Sequence, residues 1–353
     1  MDDLRSINSD GTAQAARTPA SVGRDLGLDV AKGIAIACVV IGHVIRGFQS
    51  AGLLEYNLFL QILDNFVYGF HVQLFFIISI YISYTKTGSL YFQLNRNAFL
   101  YYCYIIWSLL SWFAGYLAGS SVNHRPELSE LYAIPYVPYA HFWFLLALII
   151  TLIVAGLLRR TWLLVAGMLV SLDLLAAGML GWCQLNYFLL FGLAGGAWRS
   201  SGLPLPAGRW IAGLGIGSLF AAALYAALAD AQMQTLLFVP ASLVGCLGIL
   251  ACSKMLAAQP MGAKWLATIG RASLPIYLLH VFAASGIRII LYQIWPDLPA
   301  AIGICAAIAG GVALPVLAQG AARRLGLAKA MGLDTFSILT IAPSKSAMPA
   351  ASR

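Results

Sequence analysis

Charge is scarce in this chain. Asp, Glu, Lys and Arg make up only 10% of its 353 residues, against 61% hydrophobic, and the mean hydropathy is +0.83. That balance excludes a soluble domain and suits a chain folded inside a bilayer. Patterned cysteine is missing as well. Cys38, Cys103, Cys183, Cys246, Cys252 and Cys305 lie in or beside apolar segments without CxxC or Cys/His spacing, so neither a disulfide framework nor a metal site is expected. A clustered basic surface is also absent. The net charge is +8, but the basic residues stand singly between apolar runs and are not interleaved with aromatics, which argues against a nucleic-acid partner. Residues 1–27 are polar, with no apolar core or cleavage site of a secretory signal, and read as a disordered cytoplasmic tail.

Long apolar runs are what the chain has instead. At about 20 residues per span, ten are expected, near residues 28–49, 58–84, 98–119, 139–158, 161–180, 182–199, 209–228, 236–258, 272–294 and 299–318. With the N-terminus inside, all of the 21 Lys and Arg except Arg46, Arg125 and Arg288 fall on the cytoplasmic side, so the positive-inside rule places both termini there. The reading is an all-α polytopic membrane protein, about ten transmembrane helices in one bundle over residues 28–320, with a cytoplasmic tail at 321–353. Gly192 with Gly196, and Gly213 with Gly217, have the small-xxx-small spacing that packs membrane helices.

Ionisable residues at membrane depth are costly, and each raises a functional question. In "LDVAKGIAIACVVIGHVIRGF", the eleven steps from Lys32 to His43 amount to three turns plus about 20°, which puts both on one face about 16 Å apart. Arg46 stands three residues further out, and Asp29, one turn below Lys32, offers it a simple ion-pair partner. In the second span Asp64, Tyr68 and His71 share a face; in the ninth, Ser273, Tyr277 and His280 do, with Arg288 two turns above and Pro275 in the first turn. His141 and Trp143 open the fourth span, as an aromatic-belt anchor or as part of a site. One such histidine is ordinarily a bond between helices; several on separate helices, with arginines nearby, favour a shared polar cavity. Lys264 and Arg271 flank the start of the ninth span, where they meet phosphates or simply set topology.

Four stretches carry a resemblance. "LDVAKGIAIACVVIGH" sets a His ten intervening positions after a basic residue; "FHVQLFFIISI", "FWFLLAL" and "SLPIYLLH" follow in order. Together they resemble the integral-membrane acyltransferase family 3, which includes bacterial polysaccharide O-acetyltransferases. Where that family has proline after the second-span histidine and glycine after the serine, this chain has Gln73 and Ile80, and of the family's Arg-x-x-Arg before the third span only Arg96 is present, in "QLNR". The hydrolase-like domain of longer members is also missing, so an acceptor is expected to be handled by the bundle alone.

The resemblance implies an acyl-coenzyme A donor, with acetyl-CoA favoured over succinyl, and an acceptor hydroxyl on a polysaccharide or lipid-linked sugar, in a bacterial inner membrane. A neutral imidazole suits removal of the hydroxyl proton, which makes His43 the expected base or, by a covalent route, the transient acyl carrier. Lys32 and Arg96, joined by Lys264 and Arg271, are expected to meet coenzyme phosphates. His71 and His280 would orient His43 or the thioester, and Arg46, Asp64, Tyr68, His141, Tyr277 and Arg288 would contact the acceptor. A proton-coupled transporter is the alternative, since a bundle with buried His, Asp and Arg also suits export.

Overall fold

The computed structural model describes residues 25–84, 90–119, 122, 125–179 and 184–334. Its regular structure is helical: α1 Leu26–Ser50, α2 Leu58–Tyr68, α3 His71–Tyr84, α4 Leu90–Ala118, α5 Leu128–Ala133, α6 Trp143–Leu157, α7 Thr161–Ala176, α8 Leu185–Ser201, α9 Arg209–Leu228, α10 Val239–Ala257, α11 Pro260–Arg271, α12 Ser273–Ile294 and α13 Ala300–Arg324. Eight segments among the described residues are long and apolar enough to cross a membrane: α1, α2 with α3, α4, α6 with the turn before it, α9, α10 with its own lead-in, α12 and α13.

The ten expected spans therefore divide unequally. The fifth and sixth are α7, 16 residues, and α8, 17 residues; at 1.5 Å per residue these fall short of a hydrocarbon core of about 30 Å. The third starts eight residues before the expected position, at Leu90, which takes Arg96 out of the expected loop and into α4. The second is broken. Phe70 N–H turns back to Val67 O, one residue short of the helical register, and the freed Tyr68 carbonyl accepts instead from Gln73 Nε2 at 3.0 Å. Gln73 thus serves the break at the position where the resemblance leads one to expect proline.

α1 is the central helix. Its start is fixed by Asp25, whose Oδ1 accepts from the N–H of Gly27 at 2.8 Å and of Leu28 at 3.3 Å, and it packs against α2, α3, α10, α11, α12 and α13. Against α11 the two backbones touch: a Cβ on Gly270 would overlap the Asp29 carbonyl oxygen, and one on Gly33 the Leu266 carbonyl. This contact holds α12 at a fixed height beside α1, so that His280 comes level with His43. Gly192 and Gly196 do pack, against Thr151, Ile80 and Leu164, but a Cβ on Gly213 or Gly217 would have no neighbour within 4 Å among the described residues; on α9 the close approach is Gly215 against Gly248 of α10, on the neighbouring face.

Consecutive spans alternate in direction, so the loops fall at two ends. The end where α1 starts gathers Arg159, Arg160, Arg209 and Lys254 and is called the basic end; the other is the far end. The expected tail at 321–353 begins as the last turn of α13, and residues 325–334 then turn back against α4 and α13. Most of the expected 1–27 tail lies outside the described residues.

Candidate active site

Lys32, Ile36, Val39, His43 and Arg46 follow one another at steps of four, three, four and three along α1, and all five line a single cavity of about 1020 Å³. From Lys32 to Arg46 the lining covers about 21 Å of helix. The polar face read from the sequence is the wall of this cavity.

Lys32 stands near the basic end, its Nζ 2.7 Å from the Asp29 carboxylate, the pairing that spacing alone had offered. In the middle, three rings from three helices meet. The centroid of His43 lies 4.9 Å from His280 and 5.8 Å from His141, and His141 is 5.2 Å from His280, all edge to face. Tyr277 fixes the third member by donating its hydroxyl to the His141 carbonyl at 2.7 Å. His71 joins the same cavity from α3, its ring 4.7 Å from Tyr68.

The helix backbone sets the tautomers. Nδ1 of His43 is 2.9 Å from Val39 O, Nδ1 of His71 is 2.5 Å from Val67 O, and Nδ1 of His280 is 2.8 Å from Tyr277 O. A carbonyl oxygen only accepts, so each Nδ1 carries the hydrogen and each neutral ring keeps its lone pair on Nε2. His141 and His280 have Nε2 atoms buried without a hydrogen-bond partner among the described residues.

At the far end Arg46 is clamped by Asp64, Nε to Oδ1 at 3.0 Å and Nη2 to Oδ2 at 2.7 Å, and its guanidinium lies 3.5 Å over the Tyr68 ring. The Tyr56 phenol, in the loop before α2, is pushed up by burial and by the Asp64 charge, and stays protonated. A second cavity of about 240 Å³ shares His43 and Arg46 with the first and is bounded by Ser285 and Arg288 of α12; Arg288 Nη1 donates to Gly47 O at 2.7 Å.

Of the residues singled out from the sequence, Lys32, His43, Arg46, Tyr68, His71, His141 and Tyr277 line the main cavity, and Asp64 and His280 support it from directly behind. Arg288 faces the smaller cavity. Arg96 is buried in α4, its three guanidinium nitrogens without a hydrogen bond among the described residues, 5.5 Å from the Phe92 ring; its neighbour one turn on, Leu100, lines the cavity. Lys264 and Arg271 are exposed on α11 and are not among the residues that line the cavity, with Arg271 bonded to Thr268 Oγ1 at 2.7 Å. Ser273, on the face read for Tyr277 and His280, and Trp143 line the cavity too; Ser79, Gln184 and Gln234 also line it and were not singled out as site residues. For the two glutamines no signal existed, since each belongs to a loop remote in sequence from every motif. Among the described residues, no group of His, Cys, Asp and Glu has the arrangement to hold a metal ion.

Comparison with curated proteins and with solved structures returns no match in either case. A family model described as an acyltransferase domain matches residues 25–319, which takes in every element of the cavity from Asp25 at the start of α1 to Gln319 near the end of α13. The chain belongs to the membrane acyltransferase family 3.

Proposed function

We propose that this membrane acyltransferase moves an acetyl group from cytoplasmic acetyl-CoA to a hydroxyl of a sugar, in a surface polysaccharide or its lipid-linked precursor, at a bacterial inner membrane. One observation carries the reading: a continuous cavity runs along α1 from Lys32 past His43 to Arg46, so that a donor entering from one end and an acceptor from the other meet at an imidazole. Membership in the family sets aside the transporter alternative.

In the direct route the acceptor oxygen attacks the thioester carbonyl carbon while His43 Nε2 takes the hydroxyl proton. The carbon–sulfur bond then breaks, and the coenzyme leaves as a thiol that receives this proton from the imidazolium. In the covalent route Nε2 itself attacks the thioester carbonyl, the carbon–sulfur bond breaks and the coenzyme leaves as a thiol with the proton the ring gives up; the acceptor oxygen then takes the acyl group from the N-acyl imidazole and its hydroxyl proton returns to the ring. The Nδ1–H bond to Val39 O presents Nε2 for either. Lys32 and Arg96 are assigned to the coenzyme phosphates, and His71, His141 and His280 to holding the ring and the reacting carbonyl.

The test is transfer of labelled acetyl from acetyl-CoA in inside-out vesicles, at matched expression. His43→Ala is expected to lower transfer by about 10²- to 10⁴-fold, the usual share of a general base. Undiminished transfer in that variant would remove His43 from the chemistry, and absence of transfer by the intact protein with cell polysaccharide supplied would overturn the acetyl-to-sugar assignment.

A further inference from the structure

We propose that the far mouth of the main cavity is a seat for a neutral pyranose, held by the amides of Gln184 and Gln234 and by the face of Trp143. The inference rests on the sugar acceptor proposed above and adds the residues that hold it and its charge class.

Three separate loops build this mouth. Trp143 is the first residue of α6, Gln184 directly precedes α8, and Gln234 lies between α9 and α10; all three line the cavity. Contacts beneath them draw the loops together. Trp143 packs at 5.1 Å on Phe188, one turn into α8 from Gln184, and the Tyr187 hydroxyl donates to the carbonyl of Met233, next to Gln234, at 3.4 Å.

The backbone here is held in a costly shape. Among the described residues the non-glycine positions of positive φ are Ala140 at 46°, Gln184 at 54° and Asp230 at 49°, and they fall one to each of these loops. Each conformation costs on the order of 1 kcal/mol and persists only where surrounding structure imposes it.

The chemistry of the lining names the ligand class. Both glutamines are half-buried, and neither amide makes a hydrogen bond among the described residues. An amide offers donors and an acceptor together, as a sugar hydroxyl does, and an aromatic face suits the C–H face of a pyranose. A carboxylate would use only the donors. The arginine at this mouth is already neutralised by Asp64, and Lys32, at the other end, is paired with Asp29. The seat therefore favours neutral sugars over uronic acids.

Binding is read without any donor, by saturation-transfer NMR on the full-length protein in nanodiscs. The probes are the methyl glycosides of glucose, galactose and mannose, each set against its uronide. Saturation of at least one neutral glycoside is expected to exceed that of its uronide. Gln184→Ala and Gln234→Ala are each expected to weaken this binding about fivefold, the worth of one hydrogen bond. Thermal unfolding of each variant establishes that it is folded, and Gln184→Glu serves as a second, near-isosteric variant expected to weaken binding as well. Stronger binding of the uronides, binding untouched by all three substitutions, or acetyl transfer to cell glycan that these substitutions leave unchanged would overturn the seat. Because acetyl-CoA turnover is assayed separately, loss of the acyl-transfer reading with glycoside binding intact is a distinguishable result.

Discussion

Asp64 is 5% exposed and Arg46 stands beside it with nearly half its side chain accessible. Such a pair gains less than a fully buried one, because water still reaches the cation, while removal of either partner strands the other at membrane depth. Arg46→Ala and Asp64→Ala are each expected to lower the unfolding temperature in detergent, and the double variant to lower it by less than the sum. A coupling of about 1 kcal/mol is anticipated from neighbours in direct contact; strictly additive shifts would mean that the clamp contributes nothing. The pairing also marks how far single-residue reading extends. Helical spacing placed Lys32, His43 and Arg46 on one face of α1 and Asp64, Tyr68 and His71 on one face of the next span, and all but Asp64 of those six line the cavity. Spacing names the face of a helix but not the helix opposite, so Arg46 was expected to touch an acceptor with no sign that Asp64 would also clamp its guanidinium at the cavity wall. Lys264 and Arg271 show the same limit in another form: they were singled out by nearness in sequence to the ninth span, and they stand exposed on an intervening helix, α11, and not among the residues that line the cavity.

Between elements, the meeting of α1 and α11 without side chains at Gly33 and Gly270 sets the height of α12 and with it the contact between His280 and His43. Gly270→Ala places a methyl on the Asp29 carbonyl, so backbone must move. A destabilisation of at least about 1–3 kcal/mol is expected, accompanied by loss of acyl transfer larger than the fall in folded protein, since the histidines separate. Unchanged melting and transfer would show that the helices part freely at this point. Gln73→Ala tests the break between α2 and α3 in the same way: it leaves the Tyr68 carbonyl without its 3.0 Å donor, at a cost of about 1–3 kcal/mol for a buried acceptor left unmade. A melting temperature equal to that of the intact protein would mean another group takes over the carbonyl. Hydropathy located nearly every helix because burial in lipid demands a run of apolar residues. It passed over the break at Gly69 and Phe70 and the shortness of α7 and α8, because an average over a window is blind to one lost hydrogen bond and to helix ends that remain apolar.

At the scale of the whole bundle, α4 stands apart. Its packing among the described helices is chiefly with α6 and the turn before it, and the gap toward α13 is closed by the chain that follows α13. Four carbonyls of that chain accept side-chain donors: Ala330 O from Tyr102 at 2.5 Å, Met331 O from Trp107 Nε1 at 2.9 Å, Gly332 O from Cys103 Sγ at 3.9 Å, and Leu333 O from Gln319 Nε2 at 2.7 Å. Gly332 has φ of 65° and lies so close to Cys103 that a Cβ would meet its sulfur, so the turn accepts no larger residue without a shift. A strap held through its own carbonyls leaves no periodic signature, which is why a tail was expected there. Truncation after Arg324 removes all four bonds, the three from oxygen or nitrogen donors each worth about 1 kcal/mol, and frees the indole of Trp107. The expected result is a lower unfolding temperature, a red shift of tryptophan emission that Trp107→Phe abolishes, and a higher KM for the acyl donor, because α4 carries Arg96 and the cavity-lining Leu100. Truncation after Asp334 keeps every one of these bonds and is expected to behave as the intact chain. If the two truncations behave alike, the strap does not position α4.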